Sequence, residues 1–370
     1  MKKILVLSSF PAPYRVDVFK GLAETFELDV FFETNKDQNR SKDFFVSNDE
    51  FQYNIVNEKD GSIKFHNCIK NLKSYDLVLA YDWYLEYALR VEVKCMIHRV
   101  PYIINCDGAF IVSAKTVKDK CKEVIKHFFV RHAVACLSSG KSATNYFKYY
   151  GALEKNIHEH PFTSLHKGDI LQSPVLEEEK KLLRKKLKLE DKFTVISVGQ
   201  FIERKGFDTL LSAWKNISMN GQLIIVGGGE ERAKYEKMIV DYSISGVKMI
   251  DFIPKQELIK YYMASDVFVL PTREDIWGLV VNEAMAVGIP VITTERCNAG
   301  IELIENDVNG FIVPVNDIHQ MADKIQWLME HEDIVRFMGI NNIKKIKNYT
   351  LEKIVESHKE VFLKILSAEN

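Results

Sequence analysis

Short apolar runs rich in β-branched residues recur along the first half of the chain: Ile4 to Leu7, Leu28 to Phe32, Leu77 to Ala80, Tyr102 to Asn105 and Val134 to Leu137. Segments with apolar residues at helical spacing lie between them, so strand and helix alternate. Strands that are apolar throughout need cover on both faces, which a parallel sheet between two helical layers supplies. The rhythm then restarts with Phe193 to Val198, Gln222 to Val226, Val247 to Phe252, Val267 to Leu270, Pro290 to Thr293 and Gly310 to Val313. The pattern predicts an α/β protein of two doubly wound, Rossmann-like domains.

Between the two sets, SLHKGDILQSPVLEEEKKLLRKKLKLEDK loses strand character, carries Pro174 and becomes a dense charge run. The boundary is placed there, giving domains over residues 1–170 and 171–350. The run from Glu177 to Lys192 reads as a solvated helix face, with nucleic-acid binding as the alternative that its mixed signs disfavour. Leu351 to Leu366 again has helical spacing and is expected to pack back on the first domain as a helix over about 351–370.

Composition narrows the class. The chain has 370 residues, 46% of them hydrophobic and 27% charged, enough for two full cores and unlike disordered or low-complexity sequences. Fifty basic against fifty-one acidic residues give a formal charge of -1, so no global field gathers nucleic acid or anionic lipid. The apolar start ends after Leu7 without a small-residue cleavage site and reads as a first strand rather than a signal peptide. No run approaches the roughly 18 apolar residues of a membrane span. A cytoplasmic location is expected, with peripheral attachment to the inner face of the cell membrane left open. Six cysteines without CxxC spacing fit reduced, buried thiols.

Several motif fragments fail. Gly227, Gly228 and Gly229 follow a strand, but the third glycine of a dinucleotide fingerprint would fall at Arg232; what remains is a tight turn whose amides can approach a phosphate or sugar. Gly140, Lys141 and Ser142 resemble the end of a P-loop whose leading glycine position holds Ala135. His158, Glu159 and His160 lack a third metal ligand and read as a surface strand or loop. No metal or other cofactor is expected, and without an Asp-x-Asp triplet any phosphate charge falls to side-chain cations and helix N-termini.

The segment ASDVFVLPTREDIWGLVVNEAMAVGIPVITT is the most informative. It reads as a buried strand, a loop opened by Pro271 with Asp275 in it, and a helix from about Gly278 that carries Glu283. Carboxylates suit sugar or ribose hydroxyls, and the helix-start amides from Trp277 through Gly278 and Leu279 to Val280 suit a phosphate. In open α/β sheets, ligands sit at this edge. Arg204 and Lys205 follow the first strand of the same domain and could neutralise a diphosphate.

These residues resemble the retaining glycosyltransferases of the GT-B fold, family four type, most strongly from Val195 to Pro314. Pro271, Thr272, Asp275, Trp277, Gly278, Glu283 and Ala284 fit the family frame, with Asp in place of its first Glu. The resemblance implies two domains facing a deep cleft, Asp275 on the donor-sugar hydroxyls, Glu283 on the nucleotide ribose, and Lys205 on the phosphates. Gln200 stands where an arginine is common, with Arg204 beside it to compensate. Gly227, Gly228, Glu230, Phe252, Ile253 and the segment Cys297 to Glu302 fall where the family lines its donor pocket. In the first domain Tyr14 and Arg15 resemble a family variant and imply an acceptor-side loop. Asp107 stands near where relatives place a donor-contacting histidine, although Asp-Gly is also ordinary turn chemistry. The implied reaction moves a sugar, with retention, from a nucleoside-diphosphate sugar such as a UDP- or GDP-sugar to a glycan or lipid-linked acceptor, commonly for cell-surface polysaccharide. A sugar-nucleotide epimerase of the same architecture and a non-catalytic partner subunit are the alternatives. Lys115 to Tyr150, basic and interleaved with aromatics, reads first as a helix with one apolar core face and snorkelling lysines, and second as a membrane-surface face.

Overall fold

The computed structural model describes residues 1–35, 50–111, 115–218 and 220–367. The chain divides into two compact units, one formed by residues 1–164 with 350–370 and the other by residues 165–349. The first holds a seven-stranded sheet of β1 (Lys3–Ser8), β2 (Glu27–Phe32), β3 (Asn54–Ile55), β4 (Leu77–Ala80), β5 (Tyr102–Cys106), β6 (Ala135–Ser138) and β7 (Ile157–Glu159). Their order is β3-β2-β1-β4-β5-β6-β7, every pair parallel. The second unit repeats the plan with β8 (Phe193–Val198), β9 (Gly221–Val226), β10 (Val247–Ile250), β11 (Val267–Leu270), β12 (Val291–Thr294) and β13 (Gly310–Val313), ordered β10-β9-β8-β11-β12-β13 and again parallel. The strand order reverses direction beside β1 and beside β8, which is where ligands bind in this architecture.

Side-chain alternation explains why these runs are apolar at every position. Leu5, Leu7, Val78, Ala80 and Ile104 enter one core of the first unit, while Ile4, Val6, Leu77, Leu79 and Ile103 enter the core on the opposite face. In the second unit Val195, Leu223, Ile225, Val267 and Val269 share one core, and their neighbours Ile196, Ile224 and Phe268 are buried on the other side. Two edge strands carry no such signal. β3 and β7 have two and three residues, half-buried for the most part, too short for a period to register. β10 stops at Ile250, so Phe252 lies beyond the sheet and is 68% exposed.

The last helix, Leu351–Ser367, belongs to the first unit, where Phe362 packs on Phe26 with ring centroids 5.7 Å apart. Close approach to the helix Pro13–Ala23 requires Gly21, because a Cβ there would lie 2.7 Å from a Val355 methyl.

Three readings of the sequence need correction. The charged segment forms a helix, Glu177–Lys186, that is not wholly solvated: Lys180 and Arg184 are buried and hold the buried Asp266 at 2.6 and 2.7 Å. The same carboxylate accepts the Thr194 amide at 2.8 Å, so a buried charge cluster ties this helix to β8. The cysteines are not uniformly buried, since Cys121 is exposed and Cys68 half-buried. Burial pushes the thiols of Cys95, Cys106, Cys136 and Cys297 up to about 12, as expected of inert core thiols. Finally, the helix Val117–His132 buries only Phe129 and Val130, whereas Val117, Val124, Ile125 and Phe128 face solvent.

Asp266→Ala leaves two buried cations without their counter-charge, an arrangement that costs about 3–5 kcal/mol. Chemical unfolding is expected to lose that stability in the transition of the second unit alone; a loss below about 1 kcal/mol would show the cluster to be dispensable.

Candidate functional site

The two loops at the carboxyl ends of β8 and β11 are laced together by their backbones. The Arg273 amide donates to the Arg204 carbonyl at 2.8 Å, and the Thr272 hydroxyl donates to the same oxygen at 3.1 Å. This approach is possible because residue 206 is glycine: it adopts φ +68°, and a Cβ would stand 2.2 Å from the Pro271 carbonyl oxygen. Arg273 adds a side-chain clamp, reaching both carboxylate oxygens of Asp208 at 3.0 Å.

The lacing sets Lys205 directly against Asp275, with the ammonium in contact with Oδ2 and both side chains nearly buried. Arg204 stands 3.9 Å from Oδ1 of the same carboxylate and is 42% exposed, so one cation is seated and the other reaches solvent. On its other side the Asp275 amide donates to the Arg296 carbonyl at 2.8 Å, pairing the loop with residues 296–298 in the manner of a short strand. Asn298 donates its amide to the Ile276 carbonyl at 2.8 Å. Gly278, at φ +101°, turns the chain into the helix Leu279–Ala286; a Cβ would meet the Cys297 sulfur at 2.9 Å. The first amides of this helix have no carbonyl of their own helix to pair with. Trp277 lies beneath the turn, 4% exposed, its indole donating to Asn282 at 2.9 Å, so it supports the loop rather than presenting a face.

Glu283 sits in the second turn of that helix, where the Tyr262 hydroxyl donates to its Oε2 at 3.2 Å. Tyr262 is fully buried, and burial followed by the Glu283 charge pushes its hydroxyl far above the usual range, so it stays a donor. A small cleft beside the pair is lined by Leu165, Leu258, Ile259 and Ala286, with the Asp169–Lys255 ion pair at 3.0 Å on its rim. In the glycine turn after β9, Gly227 and Gly229 press on the backbone of residues 199–201, whereas Gly228 faces open space. Glu230 is exposed and Ile253 half-buried.

The candidates of the first unit form a second cluster. Arg15 is 7% exposed, its guanidinium 3.8 Å over the Tyr81 ring and 5.4 Å from that of Tyr14, and paired with Asp107. Tyr14 meets Phe162 edge-on at 5.6 Å. Asp107 also accepts the Asn105 amide at 2.7 Å, which turns the Asn105 carbonyl oxygen to His160 Nε2 at 3.0 Å. A carboxylate only accepts, so Asn105 is fixed in this sense, and on the other side of the ring His160 Nδ1 lies 2.9 Å from the Pro161 carbonyl oxygen. His160 is therefore not the surface residue expected of it: it is buried, 4.8 Å from the His358 ring. His358 Nε2 lies 2.9 Å from the Tyr81 hydroxyl.

Arg273, Tyr262, Asn105 and His160 were not legible as site residues. Arg273 stands at a position that the family frame leaves open between Thr272 and Asp275, Tyr262 on a helix twenty-one residues from Glu283, and His160 outside any ligand spacing. Only the fold brings each to its partner. Among the described residues, no group of three or more His, Cys, Asp or Glu side chains is arranged to hold a metal ion, and no helix is long and apolar enough to cross a membrane.

Residues 178–345 match the family of glycosyl transferases group 1, so the match falls in the unit that holds Lys205, Asp275 and Glu283. Over 179 residues the chain is 32% identical to an uncharacterized glycosyltransferase of Haemophilus influenzae, covering 47% of this chain and 50% of that protein. It is 30% identical over 183 residues to the capsular polysaccharide biosynthesis glycosyltransferase CapM of Staphylococcus aureus, 48% of each chain. The chain thus spans about half the length of the curated relatives it matches. Among solved structures, Anabaena Alr3699/HepE in complex with UDP superposes with a TM-score of 0.79 over 98% of this chain and 100% of that one, at 18% identity. The fold is therefore that of the two-unit GT-B glycosyltransferases.

Burial drives the His358 ring well below its ordinary value of 6.5, helped by His160 and Arg15. A depressed histidine is neutral when folded and takes up a proton on unfolding, so the unfolded state binds more protons and stability falls as pH drops below about 6.5. Urea unfolding at about pH 8 and about pH 5 is expected to differ by at least about 1 kcal/mol in the first unit. His358→Gln keeps an acceptor for Tyr81 and should flatten that slope; an unchanged slope would remove His358 as its source.

Proposed function

We propose that this protein is a retaining glycosyltransferase that moves a sugar from a nucleoside-diphosphate sugar to a glycan or glycolipid acceptor in the building of cell-surface polysaccharide. The observation that carries the reading is the seating of Lys205 against Asp275 beside the start of the helix that bears Glu283. Lys205 and Arg204 supply positive charge for a diphosphate, and the helix-start amides add to it without a metal. Asp275, Gly228 and the segment 297–302 receive the donor sugar; Glu283, steadied by Tyr262, accepts from ribose hydroxyls beside the cleft lined by Leu258 and Ile259.

In the reaction, the bond from the anomeric carbon to the phosphate oxygen breaks, and the acceptor oxygen bonds to the same face of that carbon. The departing phosphate takes the acceptor proton. No protein nucleophile is needed; the chain contributes charge stabilisation and positioning. Binding of the phosphates competes with Asp275 for Lys205, which frees the carboxylate to turn toward sugar hydroxyls. The acceptor falls to the first unit, where Tyr14, Arg15 and Asp107 are clustered. UDP heads the donor candidates because the Anabaena neighbour was crystallised with it. Biosynthetic assignments of relatives such as CapM support the polysaccharide role.

A thermal-shift panel of UDP, GDP, ADP and CMP tests the donor site. A ligand at a hundred times its Kd adds about 2.7 kcal/mol to the folded state. One nucleoside diphosphate is expected to stabilise the native chain and to lose that effect in Glu283→Ala. With the matching sugar donor, Asp275→Asn is expected to lower kcat by at least about tenfold, and NMR of the product to find the anomeric configuration of the donor. No shift with any nucleotide sinks the reading and leaves the partner-subunit alternative.

A further inference from the structure

The helix Val117–His132 presents its most apolar face to solvent. Val117, Cys121, Val124, Ile125 and Phe128 follow one another at steps of four, three, one and three residues, which places all five on one stripe of the helix. Val117 is 79% exposed, Val124 68%, Ile125 46% and Phe128 49%. The opposite side holds the buried Phe129 and Val130, and there Lys126 lies about 5 Å from the ring centroids of Tyr146 and Tyr150. The expected arrangement of an apolar core face with charges outward is thus reversed over most of this helix.

Charge is placed to match. Lys118 and Lys120 flank the stripe on its two sides, Arg131 continues one flank, and all three are exposed. The two acids of the helix are occupied, Asp119 in the capping box with Thr116 and Glu123 as acceptor of the Tyr149 hydroxyl. A chain of formal charge -1 has therefore concentrated unopposed positive charge around its exposed apolar stripe. A second copy of the chain would bring Lys118 and Lys120 against their own counterparts, which opposes self-pairing, and lysine is depleted at the cores of protein interfaces.

We infer that this helix is a docking surface for an anionic lipid bilayer, lying in the plane of the headgroups with Val124 and Phe128 inserted and Lys118 and Lys120 on lipid phosphates. An interfacial helix has just this composition, a narrow apolar face bordered by lysine and arginine, and its binding rests jointly on buried apolar area and attraction to anionic lipid. The inference stands apart from the donor chemistry of the second unit.

Sedimentation of the full chain with phosphatidylcholine vesicles, with and without phosphatidylglycerol, tests it. The native protein is expected to sediment with the anionic vesicles, to stay in solution with the neutral ones, and to be released by high salt. Lys118→Glu with Lys120→Glu should lower partitioning by at least about tenfold, and Val124→Ser with Phe128→Ser should do so at unchanged thermal midpoint, since these side chains are exposed. No binding to anionic vesicles, or binding that neither double variant weakens, overturns the inference. So does a concentration-dependent dimer without lipid that Val124→Ser with Phe128→Ser abolishes, which would assign the stripe to a second copy. Nucleotide-induced thermal shift, measured in parallel, is expected to be the same in all variants, which separates this inference from the proposed reaction.

Discussion

The second unit depends on how closely the chain after β8 approaches the chain after β11. A glycine at 206 admits the Pro271 carbonyl, the Arg204 carbonyl takes two donors from residues 272 and 273, and the Lys205 ammonium then meets Asp275. A Cβ at 206 would stand 2.2 Å from the Pro271 carbonyl oxygen, so any side chain there forces the two loops apart and strains those hydrogen bonds. The site is therefore a property of two backbone segments in contact, with the charged groups carried along. Its strand ends are the place where a parallel sheet reverses its order and leaves room for a ligand.

Buried charge recurs as a structural device in both units, and each instance is compensated in its own way. Asp266 is matched by two cations and an amide donor, so its cluster is satisfied and serves to fix the helix Glu177–Lys186 on the sheet. Arg15 is matched by Asp107 and by the faces of two tyrosines, and here the carboxylate stays part-accessible. Glu92 is the exception: both its oxygens are buried without a partner, and burial raises its carboxyl well above the usual range, as for a neutral acid in the core of the first unit.

The C-terminal helix links the ends of the chain to this chemistry. His358 reaches Tyr81, whose ring supports Arg15, which holds Asp107; His160 closes the circuit through Asn105. Residues more than three hundred positions apart thus share one polar cluster at the carboxyl ends of β4, β5 and β7. Phe362 against Phe26 and Val355 against Gly21 supply the apolar contact that makes the approach favourable.

Strand identity and sheet class were legible because a parallel strand buried on both faces leaves an unbroken apolar run, as in β1, β4, β8 and β11. The frame from Pro271 to Ala284 was legible because turn, cap and carboxylate positions are local in sequence. The short edge strands β3 and β7 left no period to read. The partners of Asp107, Glu283 and Asp266 were decided by tertiary structure alone, because side chains on separate elements meet only when the sheet order is set. The same holds for the helix Val117–His132: its amphipathic pattern was visible in the sequence, but which face turns inward depends on the neighbours it packs against. Local propensity and periodicity act over a few residues and determined the elements; contact between distant charges, and the side of a helix that meets solvent, are fixed by packing across the whole chain.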